Sequence, residues 1–351
     1  MAVYLNAASM VSAQDTFGKN KLPEVNVQAE NSCLHIIAPE YKEFIPVASL
    51  RRMSRLVKFS LAAAFDCYSQ VDNFSPDAIV TTTGLGCLND TGTFLMQMHQ
   101  NGEKLLNPSA FIASTHNAVG GQIALIKKLH IPNFTHTQKE ASFESGLLEA
   151  LMMLEDGEAS QILVGGFDEI TPLTIDLMNQ MGCLSETGIE KNDLLSSKKS
   201  GVVVGEGAGF FALSTEAHAS CCSKLMGVEV LRQATGNLNT LANGFLAPYN
   251  LSSADIDLLI VGLDGTQHTK KLLELMEADF QAATIAGFKN LSGCFNTDTS
   301  FALWLANSAI VNKSIHPDCC LRGKSDRTFE NVLIVNSSKA YSYSFILLER
   351  C

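Results

Sequence analysis

The residues between Asn133 and Pro172 give the strongest sign of chemistry in the chain. Their sequence, NFTHTQKEASFESGLLEALMMLEDGEASQILVGGFDEITP, predicts a short strand, a helix that begins near Glu140, and a buried strand that ends at Gly165 and Gly166. The N-terminus of a helix between two buried strands suits a nucleophile, because the helix dipole stabilises negative charge there. The residue at this position is Glu140, a carboxylate.

The elements around this stretch follow a strand–turn–helix order. A helix is predicted from Ala48 to Ser69, followed by a buried strand from Ala78 to Thr82, a glycine-containing turn and a helix that runs through Met98. The segment FIASTHNAVGGQIALIKKL after Pro108 predicts a strand, a Gly-Gly turn and a further helix. This succession indicates an α/β protein with parallel strands.

The rest of the chain repeats the pattern. Gly201 to Ser214, GVVVGEGAGFFALS, predicts two strands joined as a hairpin, and the small polar segment after it suggests a boundary between two halves. The second half shows strands and helices in the same order, including an apolar helix from Ser300 to Val311. We therefore predict an internal duplication, with halves spanning residues 1–217 and 224–351.

Composition limits the function. The chain has 351 residues, 46% of them hydrophobic, and a formal net charge of -11, without a basic cluster of the kind that binds phosphate backbones. No apolar run is long enough to span a membrane, and the start of the sequence lacks the pattern of a signal peptide. We expect a cytoplasmic protein that neither binds nucleic acid nor inserts into a membrane.

The sequence predicts no cofactor and no metal. The turn GLGCLND resembles a dinucleotide-binding loop but lacks its third glycine. The ten cysteines include the adjacent pairs Cys221–Cys222 and Cys319–Cys320, yet no C-x-x-C spacing occurs and no histidine lies at ligand spacing from a pair. The cysteines are better interpreted as small buried apolar residues in a reducing compartment.

Several segments together resemble those of a known family. THNAVGGQIAL, the helix after NFTHTQKEAS, LVGGFDEITP, GEGAGFFALS, VGLDGT and the turn from Lys289 to Cys294 occur in the order of the signature segments of β-ketoacyl-acyl-carrier-protein synthases. The resemblance covers nearly the whole chain. It implies the thiolase-like fold, an α/β architecture of duplicated halves layered αβαβα.

The resemblance also shows which catalytic groups are missing. Such enzymes use a cysteine at the start of the central helix, two histidines and a lysine; the thiolate accepts the acyl chain and the imidazoles stabilise enolate and oxyanion. The matching positions in this chain are Glu140, Asp264 and Cys294, and only Lys289 keeps the family's residue type. An acyl anhydride on a carboxylate would be fragile, and an ionised Asp264 would repel an oxyanion. We expect no catalytic residues.

Within this family, the chain looks like a chain-length factor of type II polyketide or aryl-polyene systems. Those subunits keep the fold, lose the cysteine and pair with an active ketosynthase, so the resemblance implies a heterodimer that meets acyl carrier protein only indirectly. Gating residues of chain-length factors lie on the helix after the glycine turn. The matching positions are Leu88, Thr91 and Leu95, which are spaced to lie on one helix face.

Other interpretations stay open at this point. Glu140 would serve equally well as an acidic residue in the first turn of its helix, or as a partner of Lys139 or Lys289. Asp264 suits a turn, Lys289 a structural ion pair, and Leu88, Thr91 and Leu95 the core or an interface. The alternative function is a divergent condensing enzyme that uses Cys183, Cys294 or another thiol, or a malonyl-carrier decarboxylase.

Overall fold

The fold is known from a computed structural model. It describes residues 2–351 apart from residues 24, 26–28, 30–31, 105, 107, 186–200, 219–222, 233–236 and 340–341. The strands are β1 Val3–Val11, β2 Cys33–Leu34, β3 Ala78–Thr82, β4 Asn133–His136, β5 Gln161–Asp168, β6 Val204–Gly205, β7 Gly207–Ser214, β8 Ser223–Leu231, β9 Leu258–Val261, β10 Thr284–Gly287, β11 Cys320–Arg322, β12 Asn331–Lys339 and β13 Ser342–Arg350. The helices are α1 Val47–Leu50, α2 Arg55–Ser69, α3 Leu88–Gln100, α4 Pro108–Ala113, α5 Ala118–Lys127, α6 Ser142–Glu155, α7 Pro172–Gln180, α8 Leu238–Leu246, α9 Gln267–Asp279, α10 Lys289–Ser292 and α11 Thr299–Asn312.

The strands form two halves with the same topology. Eleven strands make one sheet in the order β11-β10-β9-β12-β13-β8-β1-β7-β5-β3-β4. The N-terminal half runs β4-β3-β5-β7-β1, in which β4, β3 and β5 are parallel and β7 is antiparallel to both of its neighbours. The C-terminal half runs β10-β9-β12-β13-β8 with the same pattern of directions. The predicted duplication of the fold is therefore confirmed.

The two halves meet at β1 and β8, which pair antiparallel through three residues on each strand. The Val3–Leu225 pair lies in this short ladder. The predicted division into residues 1–217 and 224–351 stays a prediction, since part of the segment between them lies outside the described residues.

Helices form the remaining layers. The central helices α6 and α11 contact each other and strands of both halves, and their buried residues belong to one large apolar cluster. Helices α2 and α5 pack on the outer face of the N-terminal half, whereas α8 and α9 cover the C-terminal half. The two halves of this sheet thus form two strand layers that alternate with three helix layers, which confirms the αβαβα layering. Among the described residues, no helix is long and apolar enough to cross a membrane.

Several boundaries differ from the prediction. The helix predicted from Ala48 to Ser69 is divided into α1 and α2, with Ser54 extended between them. This break places Arg55 in the first turn of α2, where its guanidinium forms a bidentate pair with the buried Glu206. The sequence could not show this contact, because the two residues lie 151 positions apart.

Two predicted strand arrangements were wrong. The segment after Pro108 forms helix α4 instead of a strand, and its apolar side chains Phe111 and Ile112 are exposed. The predicted hairpin within Gly201–Ser214 does not form, because β6 pairs with β2 while β7 pairs with β1 and β5. The turn expected between Lys289 and Cys294 begins with the short helix α10.

Candidate functional site

The segment before α6 has the shape of a tight elbow. A single 3₁₀ turn, Lys139–Ala141, precedes the helix, so α6 begins two residues later than predicted. Lys139 has a left-handed backbone with φ 54°, which is rare for a residue other than glycine. The Ser142 hydroxyl closes the turn by donating to the Lys139 carbonyl at 2.6 Å. The elbow therefore places Glu140, half-buried, two residues before the helix begins.

Glu140 lines a cavity of about 260 Å³ between the two halves. The other lining residues come from the elbow, the end of β8 and the strands β12 and β13: Gln138, Lys139, Ala141, Val230, Leu231, Arg232, Asn336, Ser342, Tyr343 and Ser344. Across its mouth, Arg232 donates to the Gln138 amide oxygen at 2.7 Å. The cavity is therefore polar and bordered by two cations, Lys139 and Arg232.

A buried polar network lies behind this cavity. Glu144, one helical turn after Glu140, accepts hydrogen bonds at one oxygen from Thr299 and Ser344, each at 2.8 Å. Burial raises the pKa of this carboxyl, and these two hydrogen bonds only partly oppose the shift. Asn336 donates to Thr299 at 2.9 Å and to Asp298 at 3.4 Å. The network thus joins the cavity wall to the N-terminus of α11.

The retained lysine belongs to the same network. Lys289 Nζ lies 3.0 Å from Asp298 Oδ2, and both side chains are buried. Burial is the largest single effect and would lower the pKa of Lys289, but the charge and hydrogen bond of Asp298 together with the charges of Cys294 and Asp264 raise the pKa above its usual value. Cys294 and Asp264 act in the same direction, which places both within electrostatic reach of the ammonium. Lys289 is therefore paired with Asp298 and not with Glu140.

Cys294 is a poor nucleophile in these surroundings. Burial raises the pKa of its thiol, Asp264 and Asp298 raise it further, and Lys289 only partly opposes them. The backbone of Cys294 bonds to Val203 at 2.8 Å and to Gly205 at 3.0 Å, which fixes the residue against β6. A Cβ at Gly205 would lie 2.0 Å from the Ser292 carbonyl, so this approach requires glycine.

Asp264 forms a closed turn at the end of β9. Its Oδ1 accepts from the Thr266 amide at 2.9 Å and from the hydroxyls of Thr266 and Thr269, each at 2.7 Å. This is the arrangement of an Asx turn that begins helix α9. Oδ1 is thus held by its own turn, and a carboxylate has no hydrogen-bond donor to offer a developing oxyanion.

The predicted gate residues lie on a helix at the surface of the subunit. Helix α3 has no buried residue, and Leu88 and Thr91 are partly buried whereas Leu95 is 56% exposed. The Thr91 hydroxyl bonds to the Cys87 carbonyl at 2.9 Å. The three side chains therefore lie apart from the Glu140 cavity, whose lining includes none of them.

The structure adds site residues that the sequence did not single out: Glu144, Asp168, Asp298, Thr299 and Asn336. All are polar and buried, and most belong to strand ends or helix N-termini. A signal was present in the sequence, since Asp298 and Thr299 stand directly before an otherwise apolar helix. Their partners come from distant segments, so the network itself was not predictable.

Comparison with known proteins agrees with this architecture. Residues 27–183 match the family described as beta-ketoacyl synthase, N-terminal domain. No curated protein matches the chain in sequence. The fold is that of the ketosynthases, and the resemblance inferred from the sequence is confirmed.

Solved structures show the same fold over the full length of the chain. One described as the ishigamide ketosynthase/chain length factor has a TM-score of 0.82 at 17% identity, with 99% of this chain and 98% of that chain covered. A beta-ketoacyl synthase from Burkholderia phymatum has a TM-score of 0.80 at 14% identity, covering 100% and 99%. The ketosynthase ApeO in complex with its chain length factor ApeC, from Xenorhabdus doucetiae, has a TM-score of 0.76 at 16% identity, covering 100% and 98%.

Proposed function

We propose that this chain is a non-catalytic, ketosynthase-like subunit of the chain-length-factor type. It pairs with an active ketosynthase in the cytoplasm and shapes the tunnel in which that enzyme's acyl chain grows, in polyketide, polyene or fatty-acid-like biosynthesis. Acyl carrier protein meets it only through the partner. The observation that supports this most is the loss of all three groups that condensation requires.

The surroundings of the replaced residues support the proposal. A ketosynthase needs a thiolate and two imidazoles around one reacting carbonyl. In this chain Asp264 is engaged by its own turn, and Cys294 has a thiol whose pKa is raised by burial. Lys289 is neutralised by Asp298. Asp264, Cys294 and Lys289 can thus stabilise the fold, but they supply neither the nucleophile nor the oxyanion donors that condensation requires.

The distribution of exposed apolar side chains supports a partner. Large apolar residues that are well exposed occur in the described N-terminal half only: Ile37, Val47, Leu85, Leu95, Met96, Phe111, Ile112, Leu125, Phe134, Met152, Leu173, Leu177 and Met181. Ile112 and Leu125, exposed by 66% and 69%, line one groove of about 460 Å³ between α2, α4 and α5. Strand β4 lies at the edge of the sheet with Phe134 exposed. Such surfaces suit coverage by another subunit.

The partner class comes from the solved relatives. Two of them are described as a ketosynthase with a chain length factor, and another as a type II polyketide acyl-carrier protein in complex with its ketosynthase. In an assembly of that kind, Leu88, Thr91 and Leu95 on the surface helix α3 would face the partner. We infer that they form the gate of the shared tunnel.

The proposal is tested by co-expression with intact Cys/His/His ketosynthases of the same genome, beginning with any that is encoded near it. We expect a stable heterodimer that extends a carrier-bound chain, and no activity from this chain alone in acylation by acyl-carrier thioester or in malonyl decarboxylation. Covalent acylation of one of its cysteines, or release of carbon dioxide by the isolated chain, would establish the alternative enzyme instead. Failure to associate with any neighbouring ketosynthase would also reject the proposal.

A further inference from the structure

Asp168, at the end of β5, bonds to both halves of the molecule with different oxygens. Its Oδ1 accepts from the Thr83 hydroxyl at 3.0 Å and from the Gly84 amide at 2.9 Å, both in the turn after β3. Its Oδ2 accepts from the amide and the hydroxyl of Thr297, each at 2.9 Å. The carboxylate is buried, so these donors replace its hydration.

The turn held by Oδ1 is the base of helix α3. Glu169, the next residue, accepts from the Asn89 amide at 3.0 Å in the first turn of that helix. Helix α3 has no fully buried side chain, and along its length it packs on α4, where the Phe94 and Phe111 rings lie 5.4 Å apart. The contacts at its base are therefore a separate restraint on its position. The two consecutive carboxylates therefore hold both sides of the glycine turn.

The loop held by Oδ2 follows Cys294 directly and leads into α11. It also touches the glycine turn, since a Cβ added at Gly84 would lie 2.2 Å from the Asn296 side chain. Gly84 thus permits the turn and the loop to pack in contact. Asp168 lies where the turn and the loop meet, with Oδ1 bonded to the turn and Oδ2 bonded to the loop.

We propose that Asp168 is a positioning residue that ties the base of α3 to the loop of residues 294–297, so that the C-terminal half sets the position of α3. The structural part of this inference is independent of the proposed function. Its consequence for product length rests on that function, because α3 matters there only as the gate of a shared tunnel.

Hydrogen exchange of the isolated chain tests the tie. Thr297→Val removes one donor to Oδ2 without altering any residue of the turn or of α3. Loss of a hydrogen bond to a charged acceptor predicts amide exchange about tenfold faster in residues 84–92. Thr297→Ser keeps the hydroxyl and should exchange as the wild type does. Thr284→Val, which removes another buried hydroxyl bonded at 2.9 Å to the Lys324 carbonyl, is the matched control and should leave residues 84–92 unchanged.

The inference is rejected if Thr297→Val accelerates exchange only in residues 294–300, because the loop would then loosen without any effect on the base of α3. Should Thr297→Val not fold, Thr83→Val examines the tie from the other side. That variant should accelerate exchange in residues 294–300, and unchanged exchange there would equally reject the inference.

Product length in the reconstituted heterodimer separates this inference from the proposed function. We expect Thr297→Val to broaden the distribution of carrier-bound chain lengths, with Thr297→Ser restoring it. If Leu88→Trp shifts product length but Thr297→Val does not, α3 is a gate and its positioning by Asp168 is rejected. If neither variant changes product length, the gate itself is rejected.

Discussion

Lys289 and Asp298 form a buried ion pair in which Nζ lies 3.0 Å from Oδ2. The sequence predicts Lys289 as the one position at which the catalytic residue type of the synthases is retained, yet its charge is neutralised by a carboxylate at the N-terminus of α11. Asn336 extends the contact towards the Glu140 cavity by donating to Asp298 at 3.4 Å. The retained residue therefore holds two chain segments together.

Removing one partner of this pair should destabilise the fold strongly. Asp298→Asn leaves the buried Lys289 ammonium without its paired carboxylate, and we expect the free energy of unfolding to fall by about 3–5 kcal/mol. The matched control is Asp15→Asn, which breaks the exposed pair with Lys19 and should change the free energy by less than about 1 kcal/mol. Urea unfolding followed by circular dichroism measures both. Equal effects of the two variants would contradict a structural role for Lys289.

The Cys294 thiol should be unreactive. Because burial and the nearby carboxylates raise its pKa, the thiolate is scarce at pH 8. We expect iodoacetamide to label the exposed Cys351 at least about tenfold faster than Cys294, as read by peptide mass spectrometry. Preferential labelling of Cys294 would instead favour the condensing-enzyme alternative.

The raised pKa of Asp168 predicts that the stability of the fold depends on pH. Burial raises its pKa from 3.8 to about 6, and its hydrogen bonds only partly oppose the shift. The folded protein therefore binds this proton more tightly than the unfolded chain does. Protonation of Asp168 stabilises the fold as the pH falls through 6, and this stabilisation is lost as the pH rises through 6. Between pH 7 and pH 5 the free energy of unfolding of the wild type should gain about 1 kcal/mol relative to Asp168→Asn. A pH-independent difference between the two proteins would refute this assignment.

The order of strands and helices followed from the sequence because buried strands and amphipathic helices have different spacings of apolar residues. The spacing of apolar residues gave a wrong prediction where those residues do not face the core of this chain. Phe111 and Ile112 suggested a buried strand, but they lie on the exposed side of α4. Apolar residues that remain exposed on a helix look like core residues when only the sequence is considered.

The sequence predicts the positions of the candidate site, which stay predictions, but it does not predict their contacts. Glu140, Asp264, Cys294 and Lys289 were located by matching short segments. The partner of Lys289 was not, although Asp298 lies only nine residues further on, because proximity in three dimensions depends on the turn of α10 and on the packing of Asn336. A buried carboxylate can be assigned to a site only when the groups that donate hydrogen bonds to it are known.

The exposed groove between α4 and α5 should contribute to association with the partner. Ile112→Asp places a charge in a groove that would be desolvated, so we expect the dissociation constant of the heterodimer to rise at least about tenfold. Ala282→Asp, at an exposed apolar residue of the C-terminal half, is the control, since Ala282 lies outside the large exposed apolar residues and does not line this groove. Size-exclusion chromatography and isothermal titration calorimetry measure the change. An unaltered dissociation constant for Ile112→Asp would remove the groove from the interface.

Leu88→Trp tests the gate itself. Leu88 is partly buried at the first residue of α3, so a larger side chain there would extend from the base of the helix into a tunnel shared with the partner. We expect shorter carrier-bound products at an unchanged rate of the first condensation, because the partner supplies the catalytic groups. Thr93→Trp is the control, because it adds the same bulk at an exposed position of the same helix but on a different face. Mass spectrometry of the carrier-bound chains should show shortening with Leu88→Trp and not with Thr93→Trp; the same product lengths in both would place the gate elsewhere.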